Sequence, residues 1–176
     1  MEQTFENIIR QDLYQYLLSV DEVSEPLPNC PDVEEKWEEI ANAYITDGIR
    51  EFANYPTVSL GWMMYIGMAI AKMWDTVWEV AKQQDLYTCM RSKRGYDNLD
   101  DYIRQDVLLL NATEQSQLEQ IVGECASRTY NTLRHQNIEP GTREAFDAYV
   151  QCLHQLYLMG VAMQLKRMGY KMTKIQ

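Results

Sequence analysis

The sequence predicts an all-α, single-domain bundle of about six helices, and three observations lead to this fold class. Apolar residues recur at spacings of three and four in several separate stretches, which is the period of an amphipathic helix. The run from Leu60 to Ala71 is wholly apolar or glycine, and a run of this length is typical of a buried core helix. Its length falls short of the roughly 20 residues that a membrane span requires. Three prolines within residues 26–31 mark one clear linker.

Length and charge restrict the classes of function. The 176 residues suffice for one domain with its own core. Residues 1–59 hold 13 acidic and 3 basic side chains, whereas residues 60–176 hold 13 of each, so the net charge of −10 lies in the first third. Such an acidic surface repels phosphate backbones, which argues against nucleic-acid binding, and favours a basic partner. We therefore predict no nucleic-acid and no membrane partner.

The cysteines and the first residues predict a location. Cys30, Cys89, Cys125 and Cys152 are widely spaced and form no CxxC pair, so neither a zinc knuckle nor a redox pair is predicted. The first residues lack the basic segment and apolar run of a signal peptide. Four cysteines allow two disulfides, but a chain without an export signal favours a reduced, cytoplasmic protein.

The first helix is predicted over residues 2–20, where Phe5, Ile9, Leu13 and Leu17 share one face. A proline-rich linker over residues 25–31 follows, which would let this helix dock flexibly or exchange between protomers.

The second helix is predicted to begin at Asp32, with Asp32 and Glu35 as a capping box, and to reach about Ala53. Within it, Asp47-Gly48 allows two interpretations. Asp-Gly between apolar runs is a hairpin signal, while the upstream helical period favours a continuous helix kinked at Gly48. The helix is the preferred interpretation.

The central helix is predicted over residues 59–81. Gly67 and Ala71 are four residues apart, so they share a face on which a neighbouring helix can approach closely. Residues 86–96 are predicted as a surface turn, and Asp97 as the cap of a short helix. A helix over residues 113–136 and a long last helix over residues 142–169 complete the bundle.

An internal similarity links the central helix and the last helix, each of which is the more apolar helix of its predicted hairpin. Residues 66–70, IGMAI, match residues 159–163, MGVAM, in character. Two duplicated helical hairpins whose apolar helices pack through their glycines would explain this similarity. Convergent core composition explains five positions equally well.

Sequence motifs indicate little catalytic chemistry. Neither His135 nor His154 has a glutamate three residues before it, and nucleotide-binding glycine loops are missing. The carboxylates are the one source of candidates. Glu35-x-x-Glu38 with Asp75 and Glu79 on the next helix resembles the all-α NTP pyrophosphohydrolases, which bind Mg²⁺ between acidic helices. The later Glu-x-x-Asp of that family is replaced here by two carboxylates four residues apart.

A second resemblance concerns three aspartates. Asp100, Asp101 and Asp106 resemble the first aspartate-rich motif of all-helical prenyl diphosphate synthases, where such residues hold Mg²⁺ on a diphosphate. The second aspartate-rich motif of that family is absent from the chain. A capped helix with a solvated face explains the same residues.

Three functions remain open. The leading hypothesis is a non-enzymatic interaction or regulatory module without a cofactor, which binds a protein partner or itself as a homodimer. The alternative is a Mg²⁺-dependent hydrolase of nucleotides or diphosphates that uses Glu35, Glu38, Asp75 and Glu79. The third is a binder of a small apolar ligand held among Trp62, Met63, Trp74 and Trp78.

Overall fold

The computed structural model describes residues 4–170, and within this range the chain is helical and contains no strand. The α-helices are Phe5–Ser19 (α1), Pro31–Glu35 (α2), Trp37–Asn54 (α3), Pro56–Ala81 (α4), Leu86–Arg94 (α5), Leu99–Tyr102 (α6), Ala112–Arg134 (α7) and Arg143–Arg167 (α8). A 3₁₀ turn precedes α6, and one π-helical turn follows it. The all-α bundle is confirmed, with the two short helices α2 and α5 adding to the predicted six.

Helices α4 and α8 lie side by side at the centre of the bundle, and α1, α3 and α7 pack around them. Each of these two helices contributes one glycine that contacts the backbone of the other helix. A Cβ atom added to Gly67 would collide with the carbonyl oxygen of Tyr157, and one added to Gly160 would collide with that of Met64. Each glycine therefore meets the residue three positions before the other, as expected for two helices related by a local two-fold axis. The predicted packing through glycines is present, while duplication of whole hairpins stays a prediction.

Helix α3 runs through Asp47-Gly48, so the helical interpretation is confirmed and the hairpin is wrong. Both residues are buried. A Cβ atom at Gly48 would lie 2.6 Å from the Tyr44 ring, which means that glycine is required here by side-chain packing. A dipeptide that normally marks a turn is held in a helix because the core needs its small volume.

Four local predictions are wrong. Asp97 does not cap the short helix, because α6 begins after Asn98 without a side-chain cap. The second helix is split at Lys36, and its first turn begins after Cys30 with Pro31 at the first position and no side-chain cap from Asp32. The predicted surface turn over residues 86–96 is mostly helix α5, capped by the Asp85 side chain. Burial of three of its nine residues against the core stabilises this helix despite its polar composition.

Polar contacts dock α1 on α7 and α8. Glu6 Oε2 accepts hydrogen bonds from Gln155 Nε2 at 2.6 Å and from His154 Nδ1 at 3.0 Å. Asp12 of the same helix pairs with Arg128 of α7 at 3.2 Å. The described part of the first helix is therefore held against the bundle on two sides.

All four cysteines are free, and they differ in accessibility. Cys89 is exposed, whereas Cys30, Cys125 and Cys152 are buried. Burial raises the pKa of the Cys152 thiol to about 12, and it raises the pKa of the other two buried thiols as well. Because the thiolate is the reactive form, both burial and the raised pKa protect these three side chains from reagents.

We expect one thiol per chain to react quickly with a disulfide reagent under native conditions. The other three should react only when urea unfolds the protein, since unfolding exposes them and returns their pKa to the ordinary value. Absorbance of the released thiol measures both phases. Cys89→Ser should remove the fast phase, and a fast phase that survives in this variant would contradict the assignment.

Candidate functional site

The four acidic candidates do not converge on one point. Glu35 and Glu79 both line a surface groove of about 380 Å³ between α2 and the end of α4. Asp75 accepts a hydrogen bond from the Tyr170 hydroxyl at 2.5 Å, and Glu38 does not line the groove. Among residues 4–170, no group of three or more His, Cys, Asp or Glu side chains is placed to hold a metal ion.

Two lysines also line this groove, which sequence reasoning did not anticipate. Lys36 Nζ bonds to Glu39 at 3.1 Å, and Lys82 Nζ bonds to Glu79 at 3.0 Å. Each lysine thereby compensates one carboxylate. A groove of this composition has fewer free oxygen ligands for a hard cation than the sequence pattern indicates.

Two aspartates of the aspartate-rich segment form ion pairs with a buried arginine. Arg104, of which only 6% is exposed, binds Asp100 at 3.1 Å, Asp101 at 2.8 Å and Glu119 at 3.2 Å. Its guanidinium also lies 5.6 Å from the centre of the Tyr65 ring. Two of the three carboxylates that resembled a metal motif are thus used to neutralise a charge in the core.

The third aspartate of this segment pairs elsewhere, since Asp106 binds Arg94 at 3.0 Å. Sequence reasoning missed Arg104, although its spacing of three and four residues from Asp101 and Asp100 on a helix would have indicated these ion pairs.

The proposed tryptophan pocket is spread along α4. The Trp62 indole donates to the Tyr96 carbonyl oxygen at 2.8 Å, while the Trp74 indole donates to Asp32 at 3.0 Å. Twelve residues separate the two tryptophans, or about 18 Å along a helix. Met63 is fully buried, and Trp78 lines the acidic groove. No single small ligand touches all four side chains in this arrangement.

An apolar concavity lies between the second half of α3 and the start of α8, and we call it the α3–α8 groove. Its volume is about 450 Å³. Its walls are Ile49, Phe52 and Ala53 of α3, Pro140, Gly141 and Thr142 before α8, and Ala145, Phe146 and Tyr149 of α8. Ile49 is 45% exposed and Phe146 is 42% exposed, so two large apolar side chains of the same groove are accessible to a partner.

A hydrogen-bonded chain of hydroxyls fixes the floor of the α3–α8 groove. The Tyr149 hydroxyl bonds to Ser59 Oγ, which donates to the Gly48 carbonyl oxygen at 2.8 Å. Tyr44 donates to the Ser59 carbonyl oxygen at 2.6 Å, so the Tyr96 hydroxyl, 3.0 Å away, donates to Tyr44. The groove floor is rigid because buried hydroxyls in a completed network cannot rotate freely.

A buried carboxylate lies next to this network. Asp47 is 7% exposed and accepts bonds from the Tyr87 hydroxyl at 2.6 Å, from Arg91 Nε at 2.6 Å and from Arg50 Nη2 at 2.7 Å. Burial, followed by the hydrogen bond to Asp47, raises the pKa of Tyr87 well above its ordinary value. Tyr87 is therefore a neutral donor that helps to hold the charge of Asp47.

Sequence reasoning treated Asp47 only as a turn signal. Arg50 follows three residues later on the same helix, which is a detectable signal for one ion pair. Arg91 belongs to a stretch that was predicted as a turn, and 44 residues separate it from Asp47. Only the packing of α5 on α3 brings the second arginine to this carboxylate.

Two further findings restrict the interpretation of this chain. Among the helices of residues 4–170, none combines the length and apolarity needed to cross a membrane. Comparisons with known protein families, with curated proteins and with solved structures found no match.

Proposed function

We propose that this protein is a non-enzymatic interaction module that self-associates through the α3–α8 groove. The observation that supports this function is an apolar recess lined by a half-exposed phenylalanine, Phe146, and by Tyr149, whose hydroxyl is held by Ser59. Aromatic side chains over a preorganised pocket are typical of the energetic centre of a protein interface.

Charge permits a second copy of the chain as the occupant. Two molecules of net charge −10 repel each other, and the excess charge lies in residues 1–59. The two segments that line the groove, residues 49–53 and 140–149, carry Arg50 and Arg143 against Glu51, Glu144 and Asp147, a net charge of only −1. This nearly neutral, apolar surface therefore adds little repulsion between two copies, which allows an isologous contact.

The alternative Mg²⁺-dependent hydrolase has less support. Glu35 and Glu79 lie in one groove, but lysines compensate neighbouring carboxylates there, and Asp75 is engaged by Tyr170.

We extend the proposal to a cytoplasmic location, which the four free cysteines support because reducing compartments keep thiols free.

Replacing Phe146 with glutamate should abolish self-association. Truncating or charging an aromatic residue at an interface centre typically removes at least about 2 kcal/mol of binding free energy, or roughly thirtyfold in Kd. Sedimentation velocity over a dilution series measures the change. The wild-type protein should shift from dimer to monomer on dilution, whereas Phe146→Glu should sediment as a monomer throughout.

Val80→Glu is the matched control, because Val80 is 62% exposed on α4 and lies outside the groove. This variant should dimerise like the wild-type protein. A wild-type chain that stays monomeric at the highest concentration, or equal weakening by both substitutions, would refute the proposal.

A further inference from the structure

A second concavity, which we call the charged pocket, lies where α5 and the following turn meet α3. Its volume is about 360 Å³, and it shares no lining residue with the α3–α8 groove. It is lined by Asp47, Arg50 and Glu51 of α3, Arg91 and Arg94 of α5, and Gly95, Tyr96, Asp97 and Asn98 after α5. Five of these side chains besides the buried Asp47 are charged, so the pocket is suited to a charged ligand.

The arginines of the charged pocket keep N–H donors that bond to no other group among the described residues. Arg50 and Arg91 share the single carboxylate of Asp47, which leaves one positive charge uncompensated. Among the described residues, Arg50 bonds only through Nη2, and Arg91 through Nε and Nη2. Both side chains remain accessible, at 67% and 44% exposure, while a buried acid fixes their direction. Such held guanidiniums bind a carboxylate through two parallel bonds.

The acidic side of the pocket consists of Glu51 and Asp97. Neither has a basic side chain within ion-pair distance among residues 4–170. Burial is the largest cause that raises the pKa of Tyr96, and the charges of Glu51, Asp47 and Asp97 raise it further. Two free carboxylates thus lie beside two arginines that keep one net positive charge.

This pattern selects a ligand that carries both charges. A simple anion in the pocket would meet Glu51 and Asp97, and a simple cation would meet Arg50 and Arg91. We propose that the charged pocket binds a free α-amino acid, with its carboxylate on Arg50 and Arg91 and its ammonium group on Glu51 and Asp97. This site goes beyond the proposed self-association and does not depend on it.

Thermal unfolding with each of the standard amino acids tests this site. A ligand that binds only the native state raises the melting temperature by mass action. We expect at least one amino acid to raise it. For that amino acid, the analogue without the amino group and the analogue without the carboxyl group should each bind at least about tenfold more weakly by calorimetry, since each loses one charged contact.

Variants assign the binding to the charged pocket. Arg50→Met and Asp97→Asn should each weaken amino-acid binding at least about tenfold, and both side chains are exposed enough for the fold to survive. Arg143→Met is the control, because Arg143 is 89% exposed and lies outside the pocket. Its affinity should equal that of the wild-type protein.

Three outcomes would overturn the amino-acid site. They are no thermal shift with any amino acid, undiminished binding of an analogue that has lost one charge, and equal affinity in Arg50→Met and the wild-type protein. The oligomeric state of the Phe146→Glu variant is measured separately, so failure of one proposal leaves the other testable.

Discussion

Gly160→Ala is expected to lower the free energy of unfolding by about 1–3 kcal/mol, although it adds a single methyl group. The added carbon would collide with the backbone carbonyl oxygen of Met64, which cannot move without shifting helix α4. Gly67→Ala should have a similar effect, because its Cβ atom would meet the carbonyl oxygen of Tyr157. Urea unfolding followed by circular dichroism gives both values from the shift in midpoint.

Gly123→Ala is the matched control for this experiment. Gly123 also lies within a long helix, α7, but a Cβ atom there would meet nothing within 4 Å. Because alanine favours the helix over glycine, this substitution should stabilise the protein by about 0.5–1 kcal/mol. If Gly160→Ala were as stable as Gly123→Ala, the close approach of α4 and α8 would be wrong.

A steep loss of stability above pH 10 is the second large effect that we expect. Six of the twelve tyrosines are buried, namely Tyr44, Tyr65, Tyr87, Tyr96, Tyr149 and Tyr157. Burial is the largest cause that raises the pKa of each phenol in the folded protein. The unfolded chain keeps the ordinary value of about 10, so it loses these protons first.

The sign of the effect follows from this order. Stability is unaffected below pH about 10 and falls as the pH rises toward the folded-state pKa, since only the unfolded chain ionises there. Each phenol contributes about 1.4 kcal/mol per pH unit, and six contribute about 8 kcal/mol per pH unit. A total stability of about 5–15 kcal/mol is then exhausted within about two pH units.

Tyrosinate absorbance and circular dichroism, recorded together during alkaline titration, check this expectation. The six buried tyrosines should ionise together with the loss of the helical signal. Tyr157→Phe, which removes one phenol and its 2.8 Å bond to the Val33 carbonyl oxygen, should reduce the pH dependence by one proton. Complete ionisation of all twelve tyrosines before unfolding would contradict the burial that the structure assigns to them.

The sequence predicts the structural basis of the first effect but not that of the second. The glycine crossing was predictable, because Gly67 and Gly160 occupy matching places in the similar apolar segments 66–70 and 159–163. The tyrosine network was not predictable, because Tyr44, Tyr96 and Tyr149 belong to three different segments. Helical period indicates which face of a segment is buried, but not which buried hydroxyls will find one another.

Local periodicity and backbone restrictions suffice to predict the helical class, the central and last helices and the proline-rich break before α2. They also predict the helix across Asp47-Gly48, where the upstream period outweighs a turn signal.

The roles of the charged residues become apparent only in the folded molecule. Arg104 forms ion pairs with Asp100 and Asp101, which belong to a motif that resembled a metal site. Asp47 forms an ion pair with Arg91, which lies on a helix that was predicted as a turn. Ion pairs of this kind depend on the distance between segments far apart in the chain, and that distance is set by packing of the core rather than by local sequence. The same reason explains why both candidate surfaces, the α3–α8 groove and the charged pocket, became visible only in the folded molecule.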